Sequence, residues 1–316
     1  MPNDSLVPPT HPNAHIRRMA LEGLCAPCKT LPPALFYDEE GCRLFYRITE
    51  LPEYYLTRTE RDLLAKIGPV VADSVGPDAV LVEYGASSEE KAGFLLDTAD
   101  AFRTYIPIDV AAPALHQMRR RLAYSRPDLL VHPLVADFMQ PVMLPGLPAE
   151  SRVLGFFPGS TIGNLEPAAA RDFLVRARTT LGPGARFLVG ADLRKAPEIL
   201  IPAYDDAQGV TAAFNRNVLV RLNREAGANF DLAAFQHRAV WNDAESRIEM
   251  HLVSLRDQSV RVDQEVIHFA RGESIHTENS YKHTPERLIA LARASGWTPG
   301  PIWTDAAGKF GHFLLI

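Results

Sequence analysis

Three short apolar runs each lead to residues that could touch a ligand. Ala79 to Tyr84 leads to Gly85, Tyr105-Ile106-Pro107-Ile108 leads to Asp109, and Leu130 to Val135 leads to Asp137-Phe138. A glycine at the carboxyl end of a strand lets backbone pass close to a ligand, and open α/β sheets bind ligands just outside those ends. Asp109, two dozen positions after Gly85, can accept hydrogen bonds from both hydroxyls of a ribose. Asp137 and Phe138 could bracket an adenine with a carboxylate and a ring. An Asp at a strand end is as often only a helix cap, but Gly, Asp and Asp at three consecutive strand ends favour a nucleoside site. The loop Gly85-Ala86-Ser87-Ser88-Glu89-Glu90-Lys91 is not G-x-G-x-x-G, so the glycine-rich turn that a pyrophosphate needs is missing. This disfavours a dinucleotide-dependent dehydrogenase. S-adenosylmethionine has no phosphate, and one glycine suffices for it.

No metal site is expected. Cys25 and Cys28 form the one C-x-x-C spacing, with no second Cys or Cys/His pair nearby to complete a tetrad. Lys29-Thr30-Leu31-Pro32-Pro33 follows, and proline breaks the helix that a thioredoxin-like redox motif requires. A net charge of −5 argues against a nucleic-acid footprint, which needs surplus Lys and Arg on one face. There is no run of roughly 18 to 20 apolar residues for a membrane span, nor the apolar run of a signal peptide before Arg18. A cytoplasmic protein acting on a small substrate, as a monomer without nucleic acid or membrane, is the expectation.

The elements that must position these residues follow from periodicity. The first thirty-odd residues are rich in Pro, Asn and His and read as an extended or partly ordered arm. Thr57 or Thr59 can cap a helix through Glu60 to Ile67. From Ala79, apolar runs alternate with helical segments, the pattern of a parallel sheet with helices on both faces. The runs are Ala79 to Tyr84, Tyr105 to Asp109, Leu130 to Val135, Val153 to Phe157 and Arg186 to Gly190, with helices such as Ala112 to Tyr124 and Pro167 to Leu181 between them. The alternation stops at Asp192. Ala207 to Arg224 reads as helix, and Phe235 to Trp241, Arg247 to Ser254, Gln264 to Phe269 and Glu273 to Tyr281 as an antiparallel meander. The parallel theme then resumes with a helix from Thr284 to Ser295 and a last strand from Phe310 to Ile316. The expected division is a segment 1–58, an α/β domain 59–195 plus 284–316, and an inserted α+β subdomain 196–283.

Further blocks flank these residues: Pro32-Pro33-Ala34-Leu35-Phe36-Tyr37-Asp38, Leu51-Pro52-Glu53-Tyr54-Tyr55-Leu56-Thr57-Arg58, Gly159-Ser160-Thr161-Ile162-Gly163-Asn164, Ala203-Tyr204-Asp205-Asp206-Ala207, Phe214-Asn215-Arg216-Asn217, Ile248-Glu249-Met250 and Thr277-Glu278-Asn279-Ser280. In this order they resemble the ergothioneine-pathway histidine Nα-methyltransferases, over nearly the whole chain. The resemblance implies a Rossmann-like class I methyltransferase sheet with an inserted α+β substrate-binding subdomain, and S-adenosylmethionine as cofactor. It implies methylation of the α-amino group of histidine, to trimethylhistidine. Tyr37, Gly85, Lys91, Asp109, Asp137 and Phe138 correspond to the cofactor residues, with Tyr37 also near the reacting amine. Asn164 and Tyr204 correspond to the pair holding the α-carboxylate and amine, Asn164 acting with Tyr37 in catalysis. Tyr54, Met250, Glu278 and Ser280 correspond to the pocket around the imidazole. Tyr84 and Ala86-Ser87-Ser88 depart from the family, which commonly has a smaller aliphatic residue and a second glycine there.

The chemistry is compatible with these residue types. Methyl transfer from a sulfonium is an in-line displacement that needs positioning and a neutral amine rather than a strong base. A carboxylate at Glu278 can accept the imidazole N–H, while a Ser280 hydroxyl can meet the other nitrogen. Without the resemblance, Glu278 and Ser280 would read as the solvated face of an edge strand, and Tyr54 and Tyr55 as a core plug. The nearest alternative is an N-methyltransferase of a tryptophan derivative, against which Glu278 argues, because a buried carboxylate facing an apolar ring lacks a partner. A non-catalytic binding protein is a third reading, opposed by the residues around the amine.

Overall fold

The computed structural model describes residues 12–98, 101–148 and 150–316. They fall into two units: the described part of Met1–Tyr54 with Ala196–Asn279, and Tyr55–Lys195 with Ser280–Ile316. The first unit begins with helices α1 (Pro12–Leu24) and α2 (Glu39–Glu50). The second then runs through α3 (Tyr55–Val75), β1 (Ala79–Tyr84), α4 (Glu90–Leu96), β2 (Phe102–Asp109), α5 (Ala112–Ser125), β3 (Leu130–Val131) and β4 (Leu134–Val135). It continues through β5 (Val153–Phe157), α6 (Pro167–Leu181) and β6 (Arg186–Asp192). The first unit resumes with α7 (Pro197–Tyr204), α8 (Val210–Glu225), β7 (Phe235–Asn242), β8 (Arg247–Ser254), β9 (Gln258–Val262), β10 (Glu265–Phe269) and most of β11 (Ser274–Tyr281). The second closes with α9 (Pro285–Ala294), β12 (Pro299–Thr304) and β13 (Phe310–Leu315).

Every residue of β1 is buried, as expected of a strand whose sheet is covered on both faces. Alternation along the strand divides the work. Val80, Val82 and Tyr84 join a core with Phe173, Leu174 and Ala177 of α6 and Leu288 and Ala292 of α9. Ala79 and Leu81 join another with Leu63, Leu64 and Ile67 of α3 and Leu115, Met118 and Leu122 of α5. The strand order is β12-β13-β6-β5-β1-β2-β3, with β4 also paired to β2. From β6 through β2 the neighbours are parallel, so β1 is the switch point from which the chain builds outward in one direction and then the other.

The structure departs from the sequence reading in several places. Residues 12–24 form a helix instead of belonging to an irregular arm, because Ile16, Ala20 and Leu24 recur at four-residue spacing and are buried; residues 1–11 lie outside the described set. The helix read from Glu60 begins at Tyr55, so neither Thr57 nor Thr59 caps it. The helix read from Ala207 begins at Val210, where the Asp206 carboxylate accepts from the Val210 and Thr211 amides. The third run splits into β3 and β4 around His132-Pro133, since proline has no amide to donate to a ladder. The meander is instead a three-stranded sheet, β11-β8-β7, and a separate β9-β10 hairpin. The last strand runs antiparallel to β6, with β12 antiparallel outside it. No helix among the described residues is long and apolar enough to cross a membrane.

One buried group gives the α/β unit a pH signature. Glu83 of β1 is 2% exposed and receives the Tyr105 hydroxyl, and burial pushes its carboxyl from 4.5 up to about 8. A carboxyl raised on folding keeps a proton that the unfolded chain loses, so its contribution is complete below the unfolded pKa and is lost as pH rises toward the folded one. Wild-type stability should therefore fall between about pH 5 and pH 8 more than that of Glu83→Gln, by on the order of 1–3 kcal/mol. Urea unfolding at the two pH values measures this. Equal differences in both proteins would show that Glu83 does not carry the proton.

Candidate functional site

At the carboxyl edge of the parallel strands, Gly85 has φ +75°, a conformation open to glycine at little cost. Its amide and that of Ala86 both donate to the Ile108 carbonyl, at 2.9 and 3.1 Å, which folds the turn after β1 onto the end of β2. A Cβ on Gly85 would lie 3.6 Å from the Phe138 ring. Phe138 is itself fixed edge-on against Phe157 and Phe173, each 5.6 Å away. Asp109 closes β2, accepting from the Ala111 amide at 2.8 Å, and burial raises its carboxyl above the ordinary value against the pull of backbone N–H groups. Asp137 is exposed and caps its own turn through the Met139 amide at 2.8 Å. The structure thus brings Gly85, Asp109, Asp137 and Phe138 to one sheet edge.

Lys91, in the first turn of α4, reaches the same edge through an ion pair. Its ammonium is 2.6 Å from Glu60, a carboxylate on α3 with no exposure. Glu60 also accepts from the Gly159 amide, at 2.8 and 3.0 Å, which ties the turn after β5 to α3. His312 lies 3.6 Å from Glu60, and burial pushes its imidazole down to about 4, so it stays neutral near pH 7.

The turn after β5 carries Asn164. Gly159 and Ser160 are consecutive left-handed residues, with φ +79° and +59°, and the single 3-10 turn Thr161–Asn164 follows. A Cβ on Gly163 would lie 2.7 Å from the Tyr281 carbonyl, so only glycine lets this turn approach the end of β11 so closely. The Ser160 hydroxyl accepts from the Asp192 amide at 2.9 Å. The Asp192 carboxylate, fully buried, accepts from the Tyr55 hydroxyl at 2.8 and 2.9 Å, from Lys195 at 2.6 Å and from Lys282 at 2.8 Å. Lys282 also donates to the Ser280 hydroxyl at 2.9 Å. Burial pushes the Lys195 ammonium down to about 8, against the opposing pull of Asp192.

In the other unit, aromatic rings adjoin in sequence. Tyr37 meets Phe45 edge-on at 6.2 Å, Phe45 meets Tyr54 at 6.5 Å, and Tyr54 meets Tyr204 at 6.3 Å. Glu278, 9% exposed, belongs to the same group. Burial of the Tyr37 hydroxyl, the nearby Glu278 carboxylate, and the Tyr54 and Tyr204 phenols all hold Tyr37 well above its ordinary pKa, although 45% of the residue stays accessible. Buried hydrogen bonds align the strands beneath. The Tyr204 carbonyl takes the His237 Nε2 proton at 2.8 Å, which leaves His237 Nδ1 to accept from Asn215 at 2.8 Å. The Thr277 hydroxyl meets Asn215 at 2.8 Å and the Met250 carbonyl at 3.0 Å. Tyr204 on α7, Met250 on β8 and Glu278 on β11 are therefore held through one network.

Residues 16–316 match the family described as histidine-specific, SAM-dependent methyltransferases. The chain belongs to this family. It is 45% identical to the histidine N-alpha-methyltransferase of Mycolicibacterium smegmatis, over 95% of this chain and 94% of that one. It is 41% identical to the enzyme of the same name from Mycobacterium tuberculosis, again over 95% and 94%. A crystal structure of an S-adenosylmethionine-dependent methyltransferase from Clostridium acetobutylicum shares the fold, with TM-score 0.50 at 9% identity over 87% of this chain and 98% of that one.

The family's cofactor fits the sheet edge. Gly85 leaves the face of its turn open beside Phe138, Asp109 offers carboxylate lone pairs where a ribose diol needs acceptors, and the Lys91 ammonium can meet a carboxylate. Tyr37, assigned from the sequence to the same cofactor, belongs to the other unit, with Tyr54, Tyr204, Met250 and Glu278; Asn164 and Ser280 belong to the α/β unit. Sequence reasoning missed Glu60, Asp192, Lys195, Lys282, Asn215 and His237. Two had a signal. Glu60 falls on the apolar stripe of α3 with Leu63, Leu64 and Ile67, and Asp192 ends a strand as Asp109 does.

Asp109→Ala should weaken S-adenosylmethionine binding by about 1.5–3 kcal/mol, the worth of hydrogen bonds to a charged acceptor. Calorimetric titration of the variant measures it, and an unchanged affinity would remove Asp109 from the cofactor site.

Proposed function

We propose that this enzyme methylates the α-amino group of L-histidine, successively to N,N,N-trimethylhistidine, in an ergothioneine-type biosynthetic route. The observation that carries the reading is the Glu278 carboxylate, nearly buried among the phenols of Tyr37, Tyr54 and Tyr204. A carboxylate in such a place is a strong acceptor for an imidazole N–H. The curated relatives named histidine N-alpha-methyltransferase support the same substrate.

When bound, S-adenosylmethionine supplies an electrophilic methyl group on a sulfonium. The chain's own residues bind and orient. Gly85, Asp109, Asp137, Phe138 and Lys91 hold the cofactor. Tyr37, Asn164 and Tyr204 hold the amino-acid end, and the Tyr37 phenol, kept protonated by its surroundings, directs the amine lone pair by hydrogen bonding without taking its proton. Met250 and Tyr54 flank the ring. Glu278 accepts one ring N–H, and Ser280, whose oxygen already accepts from Lys282, turns its proton toward the other ring nitrogen. Histidine thus presents one donor and one acceptor to a matched pair, whereas an indole offers no acceptor nitrogen. With a net charge of −5 and a free amino acid as substrate, we extend the proposal to a cytoplasmic monomer.

Two measurements test this. Incubation with histidine and S-adenosylmethionine should give products whose fragment ions carry every added methyl on the α-nitrogen; methyl groups on the ring would overturn the reading. In Glu278→Ala, the lost acceptor should cost histidine about 1–3 kcal/mol in kcat/KM, and the preference for histidine over tryptophan should fall roughly ten- to a hundredfold. Wild-type values for both would place the imidazole pocket elsewhere.

A further inference from the structure

Along β8 burial alternates strictly, so Arg247, Glu249 and His251 share the half-open face opposite Ile248, Met250 and Leu252. On the neighbouring strand β11, Ser274 and His276 are likewise half-buried. Glu249, His251 and His276 each offer one ligand atom, and these atoms lie within 4.8 Å of one another. We propose that these three residues form a binding site for a borderline divalent cation such as zinc, one that clamps β8 to β11.

One pair of ligand atoms already stands at the spacing of a bound state. His251 Nε2 is 3.2 Å from Glu249 Oε2, matching the roughly 3.0–3.4 Å between neighbouring donors on an ion with bonds of about 2.1 Å. The two imidazoles are stacked, with centroids 4.8 Å apart and planes 22° from parallel, so a ring must turn for both lone pairs to meet one ion. The tautomers suit ligation as well. His276 Nε2 is 3.1 Å from the Glu278 carbonyl, which can only accept, so Nε2 carries the proton and Nδ1 has the lone pair. A ring N–H held by a backbone carbonyl is the usual support of a metal-bound histidine. His251 Nδ1 faces the Ser274 hydroxyl at 3.4 Å, which can take its proton when Nε2 is ligated. On Glu249, Oε1 is occupied by Asn242 at 2.9 Å and Arg247 at 2.8 Å, leaving Oε2 toward His251.

The backbone under His276 is fixed on its outer side too, where its amide and carbonyl pair with Lys29 and Leu31 at 2.9 Å each. Two imidazoles and one carboxylate, with Arg247 offsetting the charge, select a borderline ion over magnesium or calcium, which prefer all-oxygen shells. The site does not depend on the identity of the methyl acceptor.

The test uses tag-free full-length protein stripped with a chelator, then titrated with cobalt(II) by visible absorption and with zinc by competition. One equivalent should bind. His251→Ala and His276→Ala should each weaken affinity about a hundredfold or more, and Glu249→Gln about tenfold or more. Zinc should raise the thermal midpoint of the wild type and leave that of the His251→Ala/His276→Ala double variant unmoved. Should His276→Ala fail to fold, His276→Gln, which can still donate to the Glu278 carbonyl, takes its place. The site is overturned if the wild type binds no equivalent below about 100 µM. It is equally overturned if the double variant binds as the wild type does, which would place the ion elsewhere, as on the thiols of Cys25, Cys28 or Cys42.

Discussion

Much of the α/β unit depends on one buried charge, the Asp192 carboxylate. A carboxylate without solvent persists in a fold only when its charge and its lone pairs are met. Asp192 meets Tyr55 at the start of α3, Lys195 just beyond β6, and Lys282 just beyond β11. Its backbone is bound as well, the amide to Ser160 and the carbonyl to the His283 amide at 3.1 Å. Removing one partner from such a cluster strands a buried charge, typically at about 3–5 kcal/mol. The turn leading to Asn164, the end of β11 with Ser280, and the first turn of α3 are therefore tied to one residue. A cluster so expensive to break adds less to stability than well-packed apolar side chains would; its value is that Asn164 and Ser280 each hang from a segment with one permitted arrangement.

The other unit solves the same problem with neutral groups. Asn215 sits at the centre, giving one amide hydrogen to His237 and one to the His251 carbonyl at 3.2 Å while its oxygen receives Thr277. Because His237 donates to the Tyr204 carbonyl, its Nδ1 can only accept, and reversing the Asn215 amide would set its oxygen against that lone pair and the His251 carbonyl, acceptor against acceptor. Burial lowers the His237 imidazole from its ordinary value, which keeps that lone pair near pH 7.

How far the sequence could be read follows from where each signal resides. The parallel sheet was legible because strands covered on both faces must be apolar throughout, and that leaves continuous runs. Gly85 and Asp109 were picked out because the ends of such runs are where open sheets bind ligands, and the structure brings both to that edge. The helices α2, α4 and α7 were not read: α4 has seven residues, too short for a period to establish itself, and α7 contains Pro202. β12 contains two prolines, which only an edge strand tolerates. In α1, a composition rich in Pro, Asn and His hid a three-residue apolar stripe. Lys282 could not be found at all, since a lysine reads as surface until tertiary structure encloses it, and the block holding Asn215 gave no sign of that residue's buried role.

The arrangement of protons explains why so little catalytic machinery is visible. An in-line methyl transfer needs a lone pair on the amine, and a general base would have to be unprotonated near neutral pH in order to help. Tyr37 is driven the other way, with its phenol held in the protonated form by burial and by the Glu278 carboxylate. Lys195, whose ammonium falls to about 8, is spent on Asp192 and on the Tyr55 hydroxyl at 2.7 Å. The titratable groups are thus arranged to hold shape rather than to exchange protons. Rate must then come from orientation, to which a well-placed reactant pair can contribute about 7–11 kcal/mol, and from an amine whose own acidity, raised beside a sulfonium, lets water carry the proton away. Such an enzyme is sensitive to the rigidity of its supporting shell, which is where this chain concentrates its buried polar contacts.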